Sequence, residues 1–363
     1  MELLKDSLFN RQTVSILSNQ ISQVDNSFDQ EGFISSCLKN FEGKELKDRM
    51  NEITRQLEIY LPYDFIQTMT ILEKALQDST ASHFVYGGIF HYIEKNGCTD
   101  QYINESLYYL GELTKYFSSE FAIRPFLNNY PTETLSEVHK WALSDDFHKR
   151  RLASEGCRPK LPWAPNITID YKTGAAVLNH LYSDTERYVT RSVANHLNDI
   201  SKIDPTYVLN TLKKWSDEGK QTKAEMAYII NHSLRTLIKK GHPDTLQFLG
   251  YKANPKIVIN DFSLEKESIK IGEKLHFEFM IHSNDNAKLI VDYIITYPTK
   301  LGKTTKKVYK LKVLPVKKGE IVHIKSSRSF KVISTRTLRA GSHQIDIQVN
   351  GQIFISKSFN LTE

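Results

Sequence analysis

The feature that most constrains this chain is a change of hydrophobic period at Asn254-Pro255. Before it, apolar residues recur at three- and four-residue spacing. Breakers such as Asn96-Gly97, Asn129-Tyr130-Pro131, Asp204-Pro205 and Gly241-His242-Pro243 mark short connections, as in a succession of amphipathic helices. After it, Leu275, Phe277, Phe279 and Ile281 alternate with polar residues, as do Leu289, Val291, Tyr293 and Ile295. Ile345, Ile347 and Val349 lead into Asn350-Gly351, and Ile353 and Ile355 follow. Asn-Gly between alternating runs predicts a two-residue hairpin, because both residues tolerate the positive φ of a type I′ turn. The expected fold is therefore multidomain: an all-α region over 1–254, then seven or so strands in an all-β immunoglobulin-like sandwich over 255–363. A length of 363 residues agrees, being more than one core usually holds.

Inside the helical region a repeat is visible. Arg151-Leu-Ala-Ser-Glu155 is answered after 40 residues by Arg191-Ser-Val-Ala-Asn195, and 44 further on by Arg235-Thr-Leu-Ile-Lys239. A period of about 40–47 with two helices per unit is the signature of a HEAT-like solenoid. Ser183-Asp184-Thr185-Glu186 reads as a capping box opening a helix that ends near Ser201. On that helix Val189, Val193, Leu197 and Ile200 share one side, and Arg191, Asn195, Asn198 and Asp199 share the other. Asn231, Arg235 and Lys239 are expected to continue such a stripe in the next repeat. Basic stripes on stacked helices suit a phosphate backbone; a repeat scaffold for another protein is the alternative.

Charge points the same way. Residues 1–140 hold 12 Lys/Arg against 20 Asp/Glu, residues 141–254 hold 17 against 12, and residues 255–363 hold 19 against 10. An acidic front and basic rear predict a polyanionic partner for the later segments. Cys37, Cys98 and Cys157 are too scattered for a disulfide framework or a zinc site. The twelve histidines form no HExxH or similar metal pattern, and no Gly-rich phosphate loop appears. No signal peptide or membrane span is expected, so the chain reads as a cytoplasmic protein without metal or cofactor. Neither an obligatory protein partner nor an oligomer is indicated.

Four strings carry a family resemblance: Ser119-Glu-Phe-Ala-Ile-Arg-Pro-Phe126, Arg150-Arg-Leu-Ala-Ser-Glu-Gly-Cys-Arg-Pro-Lys-Leu-Pro-Trp163, Tyr188-Val-Thr-Arg-Ser-Val-Ala-Asn-His-Leu-Asn-Asp-Ile200 and His232-Ser-Leu-Arg-Thr-Leu-Ile-Lys-Lys-Gly-His-Pro243. Together they resemble the AlkC branch of the HEAT-like-repeat DNA glycosylases, relatives of AlkD. Arg336-Thr-Leu-Arg-Ala-Gly-Ser-His343 and Gln348-Val-Asn-Gly351 resemble the immunoglobulin-like domain of one AlkC subclass. The resemblance implies hydrolysis of the N-glycosidic bond of cationic alkylated bases in double-stranded DNA, such as 3-methyladenine, 1-methyladenine and 3-methylcytosine. It also implies action without drawing the lesion into a deep pocket, unlike most base-excising enzymes. Carried over by motif, the catalytic cluster falls on Glu120, Glu155, Asp199 and Trp163. The anchoring positions fall on Arg151, Arg191, Arg235 and Lys239.

The residue types suit that chemistry. A cationic alkylated base departs neutral, and positive charge accumulates on the sugar. Carboxylates beside that sugar stabilise the transition state more than the ground state, and one can orient the attacking water. Asp199 and Glu120 are the candidates for the water, with Glu155 in support. Trp163 lies in the proline-stiffened Pro159–Pro165 loop, where its face would meet the deoxyribose or the lesion. Arg158 and Lys160 in that loop, with Asn195 on the middle stripe, are expected at the DNA. Lys239 or Lys240 as a Schiff-base nucleophile is less favoured than a phosphate contact, so a monofunctional enzyme is expected. Eight lysines between Lys300 and Lys318, alternating with Val308, Leu311 and Val313, read as a basic hairpin. Phosphate contact and edge-strand protection remain open for it, and Arg336 and Arg339 are expected at the DNA. A non-catalytic DNA- or protein-binding adaptor is the competing reading.

Overall fold

The computed structural model describes residues 3–162, 164–299, 302–332 and 337–363. Trp163, Lys300 and Arg336 lie outside the described residues. Two compact units are present: Met1–Asp204 with Asn210–Ser233, and Pro205–Leu209 with Leu234–Glu363. Among the described residues the chain is helical from Leu4–Leu8 to Pro243–Phe248, and strands begin at Ile257.

In the first unit the helices Phe147–Gly156, Arg187–Ile200 and Lys223–Ser233 pack side by side, Arg187–Ile200 in the middle. Asp146 caps the first of them, accepting from the His148 N–H at 2.8 Å. The middle helix starts differently from the expected capping box. It begins at Arg187 with no side-chain cap. Asp184 is held by Arg150 of the preceding layer at 2.6 Å and accepts from the Glu186 N–H at 2.9 Å. The helix thus starts three residues later than a cap at Ser183 would place it, and Asp184, fixed by Arg150, orders the turn before it.

Flanked on two sides, this helix buries far more than one face. From Val189 to Ile200 only Arg191 and Asn195 escape burial. Asn198 and Asp199, expected on an open face, are therefore interior. The stripe of Asn231, Arg235 and Lys239 is not one helix face. Lys223–Ser233 ends, Leu234 departs from helical geometry, and Arg235–Lys240 starts anew, in the second unit. The Asn231 amide is bonded to the Ala227 carbonyl of its own helix at 2.7 Å.

The second unit contains β1 (Ile257–Leu264), β2 (Ser268–Lys270), β3 (Lys274–Ser283), β4 (Ala287–Pro298), β5 (Thr304–Val316), β6 (Ile321–Ser329), β7 (Gly341–Val349) and β8 (Gln352–Thr362). They form a three-stranded sheet, β1-β3-β6, and a five-stranded sheet, β2-β8-β7-β4-β5. Phe277, Phe279, Leu289, Val291, Ile345, Ile347 and Phe359 fill the core of this immunoglobulin-like sandwich. The Asn350-Gly351 hairpin forms as expected, with φ of 45° and 81°. Its side chain does more than turn the chain. Asn350 Oδ1 accepts from the Ile290 N–H at 2.8 Å, and Nδ2 donates to the Lys252 carbonyl at 2.9 Å.

Strand β4 departs from simple alternation. Ile290, Asp292 and Ile294 are buried as well as the core-facing residues, and Ile290 packs against Leu246 and Tyr251. A Cβ added to Gly241 would sit 2.4 Å from the Gly351 Cα, so both positions need glycine for the close approach as well as for positive φ. The lysine-rich segment is not a hairpin. Lys306, Lys307, Lys310 and Lys312 lie on the single strand β5 at the edge of the five-stranded sheet.

Candidate active site

Three carboxylates from successive helical layers of the first unit meet in one ion-pair network. Glu120, just before the Arg124–Asn129 helix, pairs with Arg151 and accepts from the Ser118 hydroxyl at 2.8 Å. Arg151 reaches on to Glu155 Oε1 at 3.7 Å. Arg158 pairs with the same oxygen of Glu155 and donates through Nε to Asp199 Oδ2 at 2.9 Å, with Nη2 also 2.9 Å from that oxygen. The remaining oxygen of Asp199 takes Lys202 at 2.9 Å. The order Glu120–Arg151–Glu155–Arg158–Asp199–Lys202 is thus a continuous chain of alternating charge.

Burial differs sharply along it. Glu155 and Asp199 are 4% and 5% exposed, whereas Glu120 is half-buried. Burial alone would raise the Glu155 carboxyl, but Arg151, Arg158 and the Ser192 hydroxyl more than offset this and hold it below the usual range. Arg151 in turn is held charged: burial opposes its charge, and Glu155 and Glu120 outweigh that. Its guanidinium also lies 5.1 Å from the centre of the Tyr188 ring, which meets Phe147 edge-on at 6.2 Å. Tyr188 and Phe147 are 40% and 37% exposed, so an aromatic rim borders the network.

Arg124 organises the loop behind it. It is fully buried, and burial brings it down to about 10, still charged at neutral pH. It donates to the carbonyls of Arg158 at 2.8 Å and Gly156 at 3.2 Å, and also to that of Pro165. Both flanks of the segment that carries position 163 are therefore anchored on one side chain. Asn128 adds a bond to the Asn166 carbonyl at 3.0 Å and accepts from the Thr168 N–H at 2.9 Å.

The structure brings Glu120, Glu155, Asp199, Arg151 and Arg158 together. It sets both arginines between carboxylates, where a phosphate contact had been expected. Arg191 and Lys160 are exposed, and half-buried Asn195 is bonded to His232 at 2.9 Å. Arg235 and Lys239 lie on the Arg235–Lys240 helix of the second unit, and half-buried Arg339 precedes β7 in that unit. Tyr188, Ser192, His196 and Arg124 were missed from sequence. Tyr188 alone had a usable signal, since it precedes Arg191 and Asn195 by three and seven residues on one helix face.

A helical-repeat unit with such a carboxylate cluster, accompanied by an immunoglobulin-like sandwich, defines a DNA alkylation repair protein. Residues 117–237 match the family described as DNA alkylation repair enzyme, and residues 258–363 match the C-terminal Ig-like domain described for the uncharacterised protein YhaZ. The YhaZ protein of Bacillus subtilis is 33% identical over 98% of both chains. The solved structure of Pseudomonas fluorescens alkylpurine DNA glycosylase AlkC, bound to DNA containing an abasic-site analogue, is 32% identical. It superposes over 100% of both chains with a TM-score of 0.92. The chain belongs to the AlkC family of DNA alkylation repair glycosylases.

Proposed function

We propose that this chain is a monofunctional glycosylase that hydrolyses the N-glycosidic bond of cationic alkylated bases, among them 3-methyladenine, 1-methyladenine and 3-methylcytosine, in double-stranded DNA. The observation that carries the reading is the convergence of Glu120, Glu155 and Asp199 through two shared arginines. An adaptor that only grips phosphate gains nothing from three acids clustered beside its cations.

The roles follow from the partners. Arg151 and Arg158 keep the acids ionised and aimed. Both oxygens of Glu155 and of Asp199 are occupied, so these two act as fixed negative charge beside the developing sugar cation. Glu120 Oε1 has no bonded partner among the described residues, and Glu120 is the most exposed of the three. It is the group that orients and deprotonates the attacking water. Because the alkylated base leaves neutral, no strong general acid is required, and the lesion need not enter a deep pocket. Trp163 supplies an aromatic face to the sugar or lesion. Arg191, Asn195 and Lys160 bind the backbone, and Arg235, Lys239, Arg336 and Arg339 of the second unit add further contacts.

Purified protein is expected to release methylated base from alkylated duplex DNA with a chelator present. Absence of release from every methylated substrate would leave the adaptor. Arg191→Ala is expected to lower the slope of log affinity against log salt by about one unit. An unchanged slope would remove Arg191 from the DNA contacts.

A further inference from the structure

The second oxygen of Glu155 has its own support, a hydroxyl and not a guanidinium. Ser192 of the adjacent helix donates to Glu155 Oε2 at 2.6 Å. A hydroxyl has one proton, so Ser192 must receive the bond it shares with the Ser154 hydroxyl at 2.9 Å. One turn further, His196 Nδ1 lies 3.0 Å from the Ser154 carbonyl. A carbonyl only accepts, so the imidazole carries its proton on Nδ1. Ser154 and His196 are fully buried and Ser192 is 2% exposed. The other ring nitrogen of His196 is buried without a partner among the described residues.

Stability alone does not call for this arrangement. A polar cluster between two helices pays desolvation that an apolar pair of the same size would avoid. It also fixes what two arginines on Oε1 leave free, the rotation of the carboxylate about that oxygen. We propose that Ser192, backed by Ser154 and clamped by His196, is a positioning residue that sets the orientation of Glu155 towards the sugar. This rests on the glycosylase reading of Glu155 given above.

Glu155 is faced by Arg151 and Arg158 and by Tyr188 and His196 of the middle helix, with Glu120, Asp199 and Lys202 further along the same ion-pair network. All of these stay in place in Ser192→Ala and Ser154→Ala. Ser192→Ala is expected to slow single-turnover base release about 10- to 100-fold, the loss of one hydrogen bond to a charged group. Affinity for duplex carrying an abasic-site analogue should be unchanged. The Ser192 bond lowers the Glu155 pKa. Its loss therefore moves the acidic limb of the pH–rate profile to higher pH. Ser154→Ala keeps the donor and should shift rate and limb in the same direction, but less.

A Ser192→Ala rate within twofold of the parent, with an unmoved limb, would overturn the proposal. So would a rate loss matched by an equal loss of affinity with no limb shift, which marks a structural role. If Ser192→Ala fails to fold, the limb of Ser154→Ala decides between the same outcomes. Should the parent release no base, the glycosylase reading fails by itself. Titration of the Glu155 carboxyl by carbon-13 NMR still tests positioning, since Ser192→Ala must raise it.

Discussion

Asp199→Asn is expected to slow base release by on the order of 10²- to 10³-fold, as loss of one preorganised charge beside a developing ion commonly does. Binding to duplex with an abasic-site analogue should change less than about threefold, within the range of a marginal free-energy change. Asp199 is interior, its Oδ2 held twice by Arg158 and its Oδ1 by Lys202. Asparagine keeps the shape but removes the charge, and its amide must turn two hydrogens towards one of those cations. Glu120→Gln should behave alike in activity, with less effect on folding, because Glu120 is half-buried. Single-turnover release and fluorescence anisotropy measured on the same preparations separate the two quantities. If affinity, melting temperature and rate fell together, these acids would be structural ion-pair partners and nothing more.

Arg124→Met is expected to lower stability by about 4 kcal/mol, which for a unit of this size is on the order of 10 °C in melting temperature. The reason is stoichiometric. One fully buried guanidinium donates to carbonyls at Gly156, Arg158 and Pro165. A methionine leaves those acceptors unpaired in a closed space, at roughly 1–3 kcal/mol each before relaxation and water entry reduce the total. Arg124→Lys should recover little, because a single ammonium cannot span carbonyls that a planar fork reaches together. Limited proteolysis should cut the 157–168 segment of Arg124→Met well before the parent. Equal protease resistance in the two proteins would mean that the loop is held by something other than Arg124.

Where local chemistry decides, the fold could be read ahead of the structure. The change of period near residue 254 and the Asn350-Gly351 turn depend on residues adjacent in sequence. Positive φ at both turn positions is a property of the dipeptide itself. The capping box expected at Ser183–Glu186 does not form, because Arg150, 34 positions away, fixes Asp184 in a turn and the helix starts only at Arg187. The same limit explains β4, whose outward Ile290 is covered by Leu246 and Tyr251, and the lysine segment, whose edge position on β5 is set by strand order.

The candidate site divides along the same line. Spacing of 35 and 44 residues fits the three acids that the family resemblance implies, Glu120, Glu155 and Asp199, to one per layer. It had nothing to say about Arg151 and Arg158, since a cation beside acids can face phosphate or carboxylate equally well on a helix drawn alone. Ser192 and His196 lie on the buried side of the middle helix and carry no pattern of their own.

Periodicity, turn chemistry and motif identity belong to the sequence by itself, and they determined a helical-repeat region, an immunoglobulin-like sandwich and the membership of the acid cluster. Tertiary structure alone decided which charge each charge meets and which polar groups lose their water. Coulomb interaction and desolvation both depend on separations and burial that arise only when layers distant in sequence pack together.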